Sequence, residues 1–314
     1  MFKKLSIILV FIFLVACNSE GNSNDTTDQK LQVYTTIYPL AYFTEVIGDQ
    51  YVEVASILPA GSDPHSFEPT SKTMVDIAEA DLFVFNGAEL EVYANKISES
   101  LRNTDVSILE AAEGIELVEV HSEEEHHDHS NEENHDGHSH GDIDPHIWLN
   151  PAYAMEMAAN IKDSLIKLQP NQQEYFENNF QDLKQRLQSL DEKFQTELSQ
   201  SKRKEIVVTH AAYGYWEERY GMKQIAITGI SPSDEPSQKK LEEIIEFVEE
   251  QEIAYMLFEQ NIRPKVAEVI QKEAGVDVLS LHNLSVLTEE DIENDEDYFS
   301  LMERNLEVLK KALN

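Results

Sequence analysis

Short apolar runs of the β type alternate with amphipathic helical patterns from residue 31 onward. In the first half of the chain, the runs that predict strands cover residues 31–36, 52–58, 82–86 and 106–109. Helical patterns lie between or beside them at residues 39–48, 70–80 and 89–101. This alternation is typical of parallel βαβ units, in which helices cover both faces of a sheet. We therefore predict an α/β lobe over residues 31–168.

A second series of the same kind begins near residue 204. Its predicted strands cover residues 205–209, 224–227, 254–258 and 276–280. Its predicted helices cover residues 211–220, 237–251, 264–274 and 297–313. The pattern predicts a second α/β lobe over residues 204–314, again with a mostly parallel sheet flanked by helices. The two halves are not close sequence repeats.

Two helical patterns separate the lobes, at residues 151–168 and 171–202, with Pro170 between them. The second pattern carries apolar residues at close to the helical period. These are Tyr175, Phe176, Phe180, Leu183, Leu187, Leu190, Phe194 and Leu198. Some 30 helical residues would span about 45 Å. We expect residues 169–203 to form a long rigid helix that joins the lobes and restricts their motion.

The first residues have the pattern of an export signal. Lys3 and Lys4 precede an apolar run over residues 5–16, which is shorter than the roughly 20 residues of a membrane span. The run ends at Leu-Val-Ala-Cys17, which resembles the lipobox of bacterial lipoproteins. We expect residues 1–16 to be a lipoprotein signal peptide and 17–30 a tether, lipid-anchored to the outer face of the bacterial cell membrane through Cys17. The alternative is an ordinary cleavage site beside a chance cysteine.

Composition narrows the class of ligand. The chain has 60 acidic and 24 basic side chains, for a formal net charge of -36. Such a charge repels phosphate backbones and favours cations near the surface, so we expect no nucleic-acid partner. Cys17 is the only cysteine, and its acylation would exclude thiolate ligands and cysteine nucleophiles.

The histidines fall into two groups. Residues 121–141 hold seven of the eleven and no apolar side chain, which predicts a mobile surface loop. His65 and His146 each end an Asp-Pro-His tripeptide, where Pro fixes the backbone and Asp can orient the ring. His210 ends the run Ile-Val-Val-Thr-His over residues 206–210, at the C-terminal edge of a predicted strand, where open α/β sheets bind ligands. Three imidazoles from both lobes can therefore converge in the cleft, and neutral imidazole suits Zn²⁺.

Three segments carry a specific family resemblance. Residues 63–70 (DPHSFEPT), 144–151 (DPHIWLNP) and 207–214 (VVTHAAYG) resemble the metal-binding solute-binding lipoproteins of ABC transporters, and most closely their zinc-type members, the high-affinity zinc uptake family. The resemblance implies a receptor outside the cell that captures Zn(II) and delivers it to an ABC-type permease. It also implies that His65, His146 and His210 are the metal ligands in the interlobe cleft. Manganese-type relatives commonly have Glu at the third position, so His210 favours zinc.

The fourth ligand departs from the family pattern. Relatives can supply a carboxylate after the last strand, where this sequence has Ser285. Water or His282 could take that place. We expect water, because nothing in the sequence orients His282 as the Asp-Pro pairs orient the other two rings.

Other functions stay open at this point. They are a manganese receptor of the same family, a metal-dependent surface adhesin that acts in cell adhesion, and a zinc hydrolase with three histidine ligands. The sequence has no His-Glu-x-x-His helix and no serine nucleophile elbow, and nothing in it identifies a catalytic base. We therefore expect a monomeric receptor and no enzyme.

Deletion of residues 121–141 tests the role of the histidine-rich loop. Because the loop is predicted to bind metal weakly and at several points, the deletion should lower the number of zinc ions bound and leave the tightest affinity unchanged. Calorimetric titration of the deleted and intact proteins measures both quantities. Loss of the tight site would show that the ligands are in the loop.

Overall fold

The computed structural model describes residues 30–102, 104–120 and 142–314. The predicted signal peptide, Cys17, the tether up to residue 29 and the histidine-rich loop lie outside these ranges, and what the sequence predicts for them stays a prediction. Within the described ranges, no helix has both the length and the apolar character needed to cross a bilayer.

The first lobe is built on a four-stranded parallel sheet with the order β2-β1-β3-β4. The strands are β1 (Leu31–Thr35), β2 (Val52–Ser56), β3 (Leu82–Phe85) and β4 (Ser107–Glu110). The helices between them are α1 (Tyr38–Gly48), α2 (Ser71–Ala78) and α3 (Val92–Ser100). Because all four strands run in one direction, the loops that leave them gather at one edge of the sheet.

Two short strands and two helices follow. They are β5 (Glu119–Val120), β6 (Asp142–Ile143), α4 (Pro151–Leu168) and α5 (Gln173–Ser199), with β5 and β6 paired antiparallel. The helix predicted at residues 151–168 has the observed bounds of α4. Its start is fixed locally, because the Asn150 side chain accepts a hydrogen bond from the Ala152 backbone nitrogen and Pro151 occupies the first turn.

The long helix α5 contacts both lobes. Asn179, near its start, donates a hydrogen bond from Nδ2 to the carbonyl of Ile47 at the end of α1 (3.0 Å). Phe194, near its end, packs against Trp216 of the second lobe with ring centroids 5.8 Å apart. The 27 residues of α5 extend for about 40 Å. One continuous hydrophobic core includes buried residues of both lobes and of α5, which opposes large rigid-body motion.

The second lobe repeats the topology of the first. Its strands are β7 (Glu205–Val208), β8 (Lys223–Ala226), β9 (Tyr255–Glu259) and β10 (Asp277–Leu281). They form a parallel sheet with the order β10-β9-β7-β8, which is the order of the first sheet read from the other side. The helices are α6 (Gly214–Tyr220), α7 (Gln238–Glu250), α8 (Lys265–Ala274), α9 (Glu289–Glu293) and α10 (Tyr298–Ala312). The predicted two-lobe α/β fold is confirmed, whereas the boundaries at residues 168/169 and 203/204 stay a prediction.

The segment after β6 is held by the second lobe. Trp148 donates a hydrogen bond from Nε1 to the carbonyl of Asn283 (2.8 Å), and Trp216 donates one from Nε1 to the carbonyl of Leu149 (2.6 Å). Both indole rings are fully buried, so the hydrogen bonds and the packing fix the same geometry. His146, which lies in the same segment, is therefore anchored on the side of the second lobe.

A buried acid holds the connection between β3 and α3. The Glu91 carboxylate accepts hydrogen bonds from the Asn86 and Gly87 backbone nitrogens (2.8 and 3.1 Å) and from the Thr36 hydroxyl (2.5 Å). Burial raises the pKa of Glu91 to about 7, against the opposing effect of these hydrogen bonds. A folded acid with a raised pKa binds its proton more tightly than the unfolded chain does. Its contribution to stability therefore falls as the pH rises from 4.5 to about 7.

Replacement of Glu91 by Gln should remove this titration. We expect the wild type to lose about 3 kcal/mol more unfolding free energy than Glu91→Gln between about pH 5 and about pH 8, since one pKa unit corresponds to about 1.4 kcal/mol. Urea unfolding in the presence of a chelator measures the difference. Glu249→Gln, at an exposed position of α7, is the control and should keep the wild-type pH dependence. Parallel pH profiles for the wild type and Glu91→Gln would contradict the assignment.

Candidate metal centre

His65 lies in the loop between β2 and α2, within a turn built by Asp63. Oδ1 of Asp63 accepts a hydrogen bond from the His65 backbone nitrogen (3.0 Å), and Oδ2 accepts one from the Ser66 hydroxyl (2.9 Å). The Asp63 carbonyl accepts another from the Phe67 backbone nitrogen (3.1 Å). Pro64 fixes the backbone between the acid and the histidine. The tripeptide therefore presents the imidazole from a well-defined turn.

The second Asp-Pro-His makes the same turn in a buried setting. Oδ1 of Asp144 accepts hydrogen bonds from the backbone nitrogen and Nδ1 of His146 (2.9 and 2.8 Å), and Oδ2 accepts one from the Gly214 backbone nitrogen (3.0 Å). The Tyr215 hydroxyl donates to the Asp144 carbonyl (2.8 Å). Because the carboxylate only accepts, the His146 ring carries its proton on Nδ1 and keeps a lone pair on Nε2.

His210 follows β7 and is also buried. Its Nδ1 lies 2.8 Å from Oε1 of Glu259, the last residue of the neighbouring strand β9. The oxygen is off the N–H direction, so this is a close electrostatic contact and not an aligned hydrogen bond. The Tyr213 hydroxyl lies 3.4 Å from the same oxygen. Both buried histidines thus have a carboxylate beside Nδ1, which leaves Nε2 for a ligand.

The three imidazoles meet at their Nε2 atoms. Nε2 of His146 lies 3.3 Å from Nε2 of His65 and 3.2 Å from Nε2 of His210. Tetrahedral zinc with Zn–N distances of about 2.05 Å would place its nitrogens about 3.3 Å apart. Within the described part of the chain, these three residues form the one group of His, Cys, Asp or Glu side chains spaced to hold a metal. The donor set and the spacing both fit Zn²⁺.

The electrostatics keep His65 uncharged. Burial, followed by the charges of neighbouring His146 and His210 in their protonated forms, lowers the pKa of His65 to about 2. Its ring is therefore neutral near neutral pH and has a lone pair for a cation. His65 is the most exposed of the three histidines.

His282 is used elsewhere. Its Nε2 donates to the Asp291 carboxylate (3.0 Å), and its Nδ1 accepts a hydrogen bond from the Leu284 backbone nitrogen (2.9 Å). These contacts leave neither nitrogen for a metal. Ser285, where relatives can have a carboxylate, donates its hydroxyl proton to Oδ1 of Asn283 (2.8 Å). The contacts of His282 and Ser285 favour water over His282 as a fourth ligand.

The sequence indicated the histidines but not all the groups that hold them. Glu259 was missed, although it directly follows a predicted strand, at the sheet edge where ligands bind. Gly214 was missed because its importance comes from the approach of Asp144, 70 residues away in the chain. Strand-end position was the usable signal for Glu259, whereas Gly214 lies in the quoted segment 207–214 but nothing local indicated its contact with Asp144.

Comparison with known proteins decides the family. A protein-family model described as "ZnuA: Zinc-uptake complex component A periplasmic" matches residues 33–312. The chain belongs to the ZnuA family. The predicted resemblance is thereby confirmed.

Individual relatives agree with the ZnuA assignment. "Zinc-binding lipoprotein AdcA" of Streptococcus pneumoniae strain R6 is 39% identical over 314 residues, which cover 99% of this chain and 61% of that protein. "High-affinity zinc uptake system protein ZnuA" of Bacillus subtilis is 36% identical over 319 residues, which cover 100% of this chain and 99% of that protein. The chain thus spans about three fifths of the pneumococcal relative and nearly all of the Bacillus one.

A solved structure supports the same fold. The Zn(II)-bound ZnuA-like domain of Streptococcus pneumoniae AdcA has a TM-score of 0.75 and 36% sequence identity to this chain. The match covers 90% of this chain and 99% of that domain. The two-lobed architecture is therefore that of a ZnuA-like domain.

In this ZnuA-family chain, Gly214→Ala should weaken zinc binding without touching a histidine. A Cβ at residue 214 would lie 2.5 Å from Oδ2 of Asp144, so the carboxylate must move and His146 loses its support. We expect a 10- to 100-fold loss of zinc affinity, the usual effect of removing a group that orients a metal ligand. Competition with a chromogenic chelator measures it.

Gly221→Ala is the matched control for this prediction. Gly221 has a positive φ of 65° at the end of α6, and a Cβ there meets nothing within 4 Å. The control therefore carries backbone strain but leaves Asp144 in place. Equal losses of affinity in the two variants would mean that general destabilisation explains the effect.

Proposed function

We propose that this chain is an extracytoplasmic receptor that captures Zn²⁺ and delivers it to an ABC-type permease, with His65, His146 and His210 as the metal ligands. The observation that carries the proposal is the position of His146 Nε2, which lies 3.3 Å from Nε2 of His65 and 3.2 Å from Nε2 of His210, the spacing of ligands around tetrahedral zinc. Relatives described as a zinc-binding lipoprotein and a zinc uptake system protein support the same cargo.

The donor set explains the choice of metal. Imidazole nitrogen suits Zn²⁺, whereas Mn²⁺ prefers carboxylate, carbonyl and water oxygens. The two acids nearest the cluster, Asp144 and Glu259, contact the Nδ1 atoms and not the point where the Nε2 atoms meet. They orient the rings and supply negative charge, and the direct donors stay nitrogen. A manganese receptor would need oxygen at that point.

The same geometry favours capture over catalysis. A zinc hydrolase needs a base that reaches the water bound to its metal. Asp144 and Glu259 contact ring atoms that face away from the Nε2 meeting point, so neither is placed for that role. The ZnuA family is a zinc-uptake family, and this supports a receptor that releases its ligand unchanged.

Export and anchoring complete the proposal. Cys17, at the end of the apolar run over residues 5–16, would carry the lipid, and residues 18–30 would separate the membrane from the fold. The acidic surface would raise the local concentration of cations around a monomer at the membrane.

A competitive titration with Zn²⁺ and Mn²⁺ tests the proposal. The protein would begin after Cys17 and lack residues 121–141, so that one class of site is observed. We expect one tight Zn²⁺ site and much weaker Mn²⁺ binding. Alanine at residue 65, 146 or 210 should lower zinc affinity by more than about 100-fold, beyond the usual effect of losing an orienting group.

His282→Ala is the control for these three substitutions. It removes a buried imidazole that bonds to Asp291 and Leu284, so it should lower stability and leave the affinity for zinc unchanged. Preference for Mn²⁺, or tight binding that survives loss of His210, would overturn the proposed ligand set.

A further inference from the structure

Each Asp-Pro-His turn receives a hydrogen bond from the side-chain amide of an asparagine that is distant in the chain. Asn86 of the first lobe donates from Nδ2 to the carbonyl of Pro145 (2.9 Å), the residue before His146. Asn261 of the second lobe donates from Nδ2 to the carbonyl of Ser62 (3.1 Å), three residues before His65. Because both acceptors are carbonyl oxygens, the amide nitrogen must be the donor in each contact.

The two asparagines occupy similar places in the duplicated topology. Asn86 directly follows β3, and Asn261 lies two residues after β9. β3 and β9 are the third strands of their lobes, and each lies beside the first strand of its own sheet. Each lobe therefore extends an amide side chain toward the cleft from the loop that follows its third strand.

The first asparagine is firmly held. Asn86 is fully buried, its Nδ2 also donates to the Gly87 carbonyl (3.0 Å), and its backbone nitrogen donates to the Glu91 carboxylate (2.8 Å). The Pro145 carbonyl is thus bound to a rigid part of the first lobe, while the neighbouring Asp144 is bound to Gly214 of the second.

The second asparagine acts on a turn with its own internal bonds. The Ser62 hydroxyl donates to the Pro59 carbonyl (2.7 Å), and the Gly61 backbone nitrogen donates to the carbonyl of Leu287 in the second lobe (2.9 Å). The loop that carries His65 is therefore joined to the second lobe by a main-chain bond and by the Asn261 side chain.

We propose that Asn86 and Asn261 are positioning residues that each hold one Asp-Pro-His turn in place beside the cleft and thereby slow release of the bound metal. This inference rests on the proposed function. For a metal to leave, at least one imidazole must move away from it, and the bonds to Pro145 and Ser62 resist that movement. Because neither amide contacts a histidine ring in the described hydrogen bonds, the pair governs how long a metal is held and not which metal is chosen.

The rate of zinc release measures this role. The mature chain loaded with Zn²⁺ is mixed with excess chromogenic chelator, and the transfer is followed by stopped flow. Loss of one neutral hydrogen bond corresponds to about a 3- to 10-fold change in a rate or equilibrium constant. We expect Asn261→Ala to speed release by about that factor, and Asn86→Ala combined with it to speed release further.

Asn179→Ala is the matched control. Asn179 is partly exposed, like Asn261, and makes the same kind of bond from Nδ2 to a carbonyl, that of Ile47 (3.0 Å), between α5 and the end of α1. It should lower the melting temperature of chelator-treated protein about as much as Asn261→Ala does and leave zinc release at the wild-type rate. If Asn86→Ala does not fold, the partly exposed Asn261 decides the question alone.

The possible outcomes separate this inference from the proposed function. Faster release in Asn261→Ala with an unchanged rate in Asn179→Ala supports the positioning role. A tight zinc site whose release is unchanged in Asn261→Ala, or is equally faster in Asn179→Ala, overturns the role and leaves the receptor proposal standing. Absence of a tight zinc site in the wild type overturns both.

Discussion

Asp144 places a carboxylate where water does not reach, and three N–H groups meet it there: the backbone and ring nitrogens of His146 and the backbone nitrogen of Gly214. A buried carboxylate is costly unless such donors surround it. Because Gly214 belongs to the second lobe, the acid is satisfied only when the two parts of the chain pack as observed. The orientation of His146 is therefore set by the same interaction that joins the lobes.

The metal centre breaks the symmetry of the duplicated fold. Asn86 and Asn261 lie at similar strand ends, but the histidines do not: His65 follows a second strand, His146 lies between the lobes, and His210 follows a first strand. Three donors around one point cannot be related by a two-fold repeat. The segment that contains His146 resolves this, because it is anchored on the second lobe while its neighbour Pro145 is bound from the first.

Patterns of neighbouring residues were sufficient to predict those features that interactions between neighbouring residues form. The start of α4 follows from Asn150 and Pro151, and the two Asp-Pro-His turns follow from the tripeptide itself. Helix α9 was missed because it has only five residues. Asn261 could not be predicted, because its partner Ser62 lies 199 residues away in the chain and no pattern near either residue reports that contact.

Charge explains how a dication could be held in a cleft that is largely closed to water. The His65 ring stays neutral because burial and the other two imidazoles lower its pKa, so it contributes a donor and no positive charge. The carboxyl groups of Asp144 and Glu259 lie against the outer nitrogens of the other two rings. Two carboxylates at that distance match the two charges of Zn²⁺, while the atoms that would touch the metal remain nitrogen. The two carboxylates thus balance the charge of the metal, whereas the Nε2 atoms determine which metal is chosen. A substitution of Asp144 or Glu259 should therefore alter the affinity for zinc before it alters the preference for zinc over other metals.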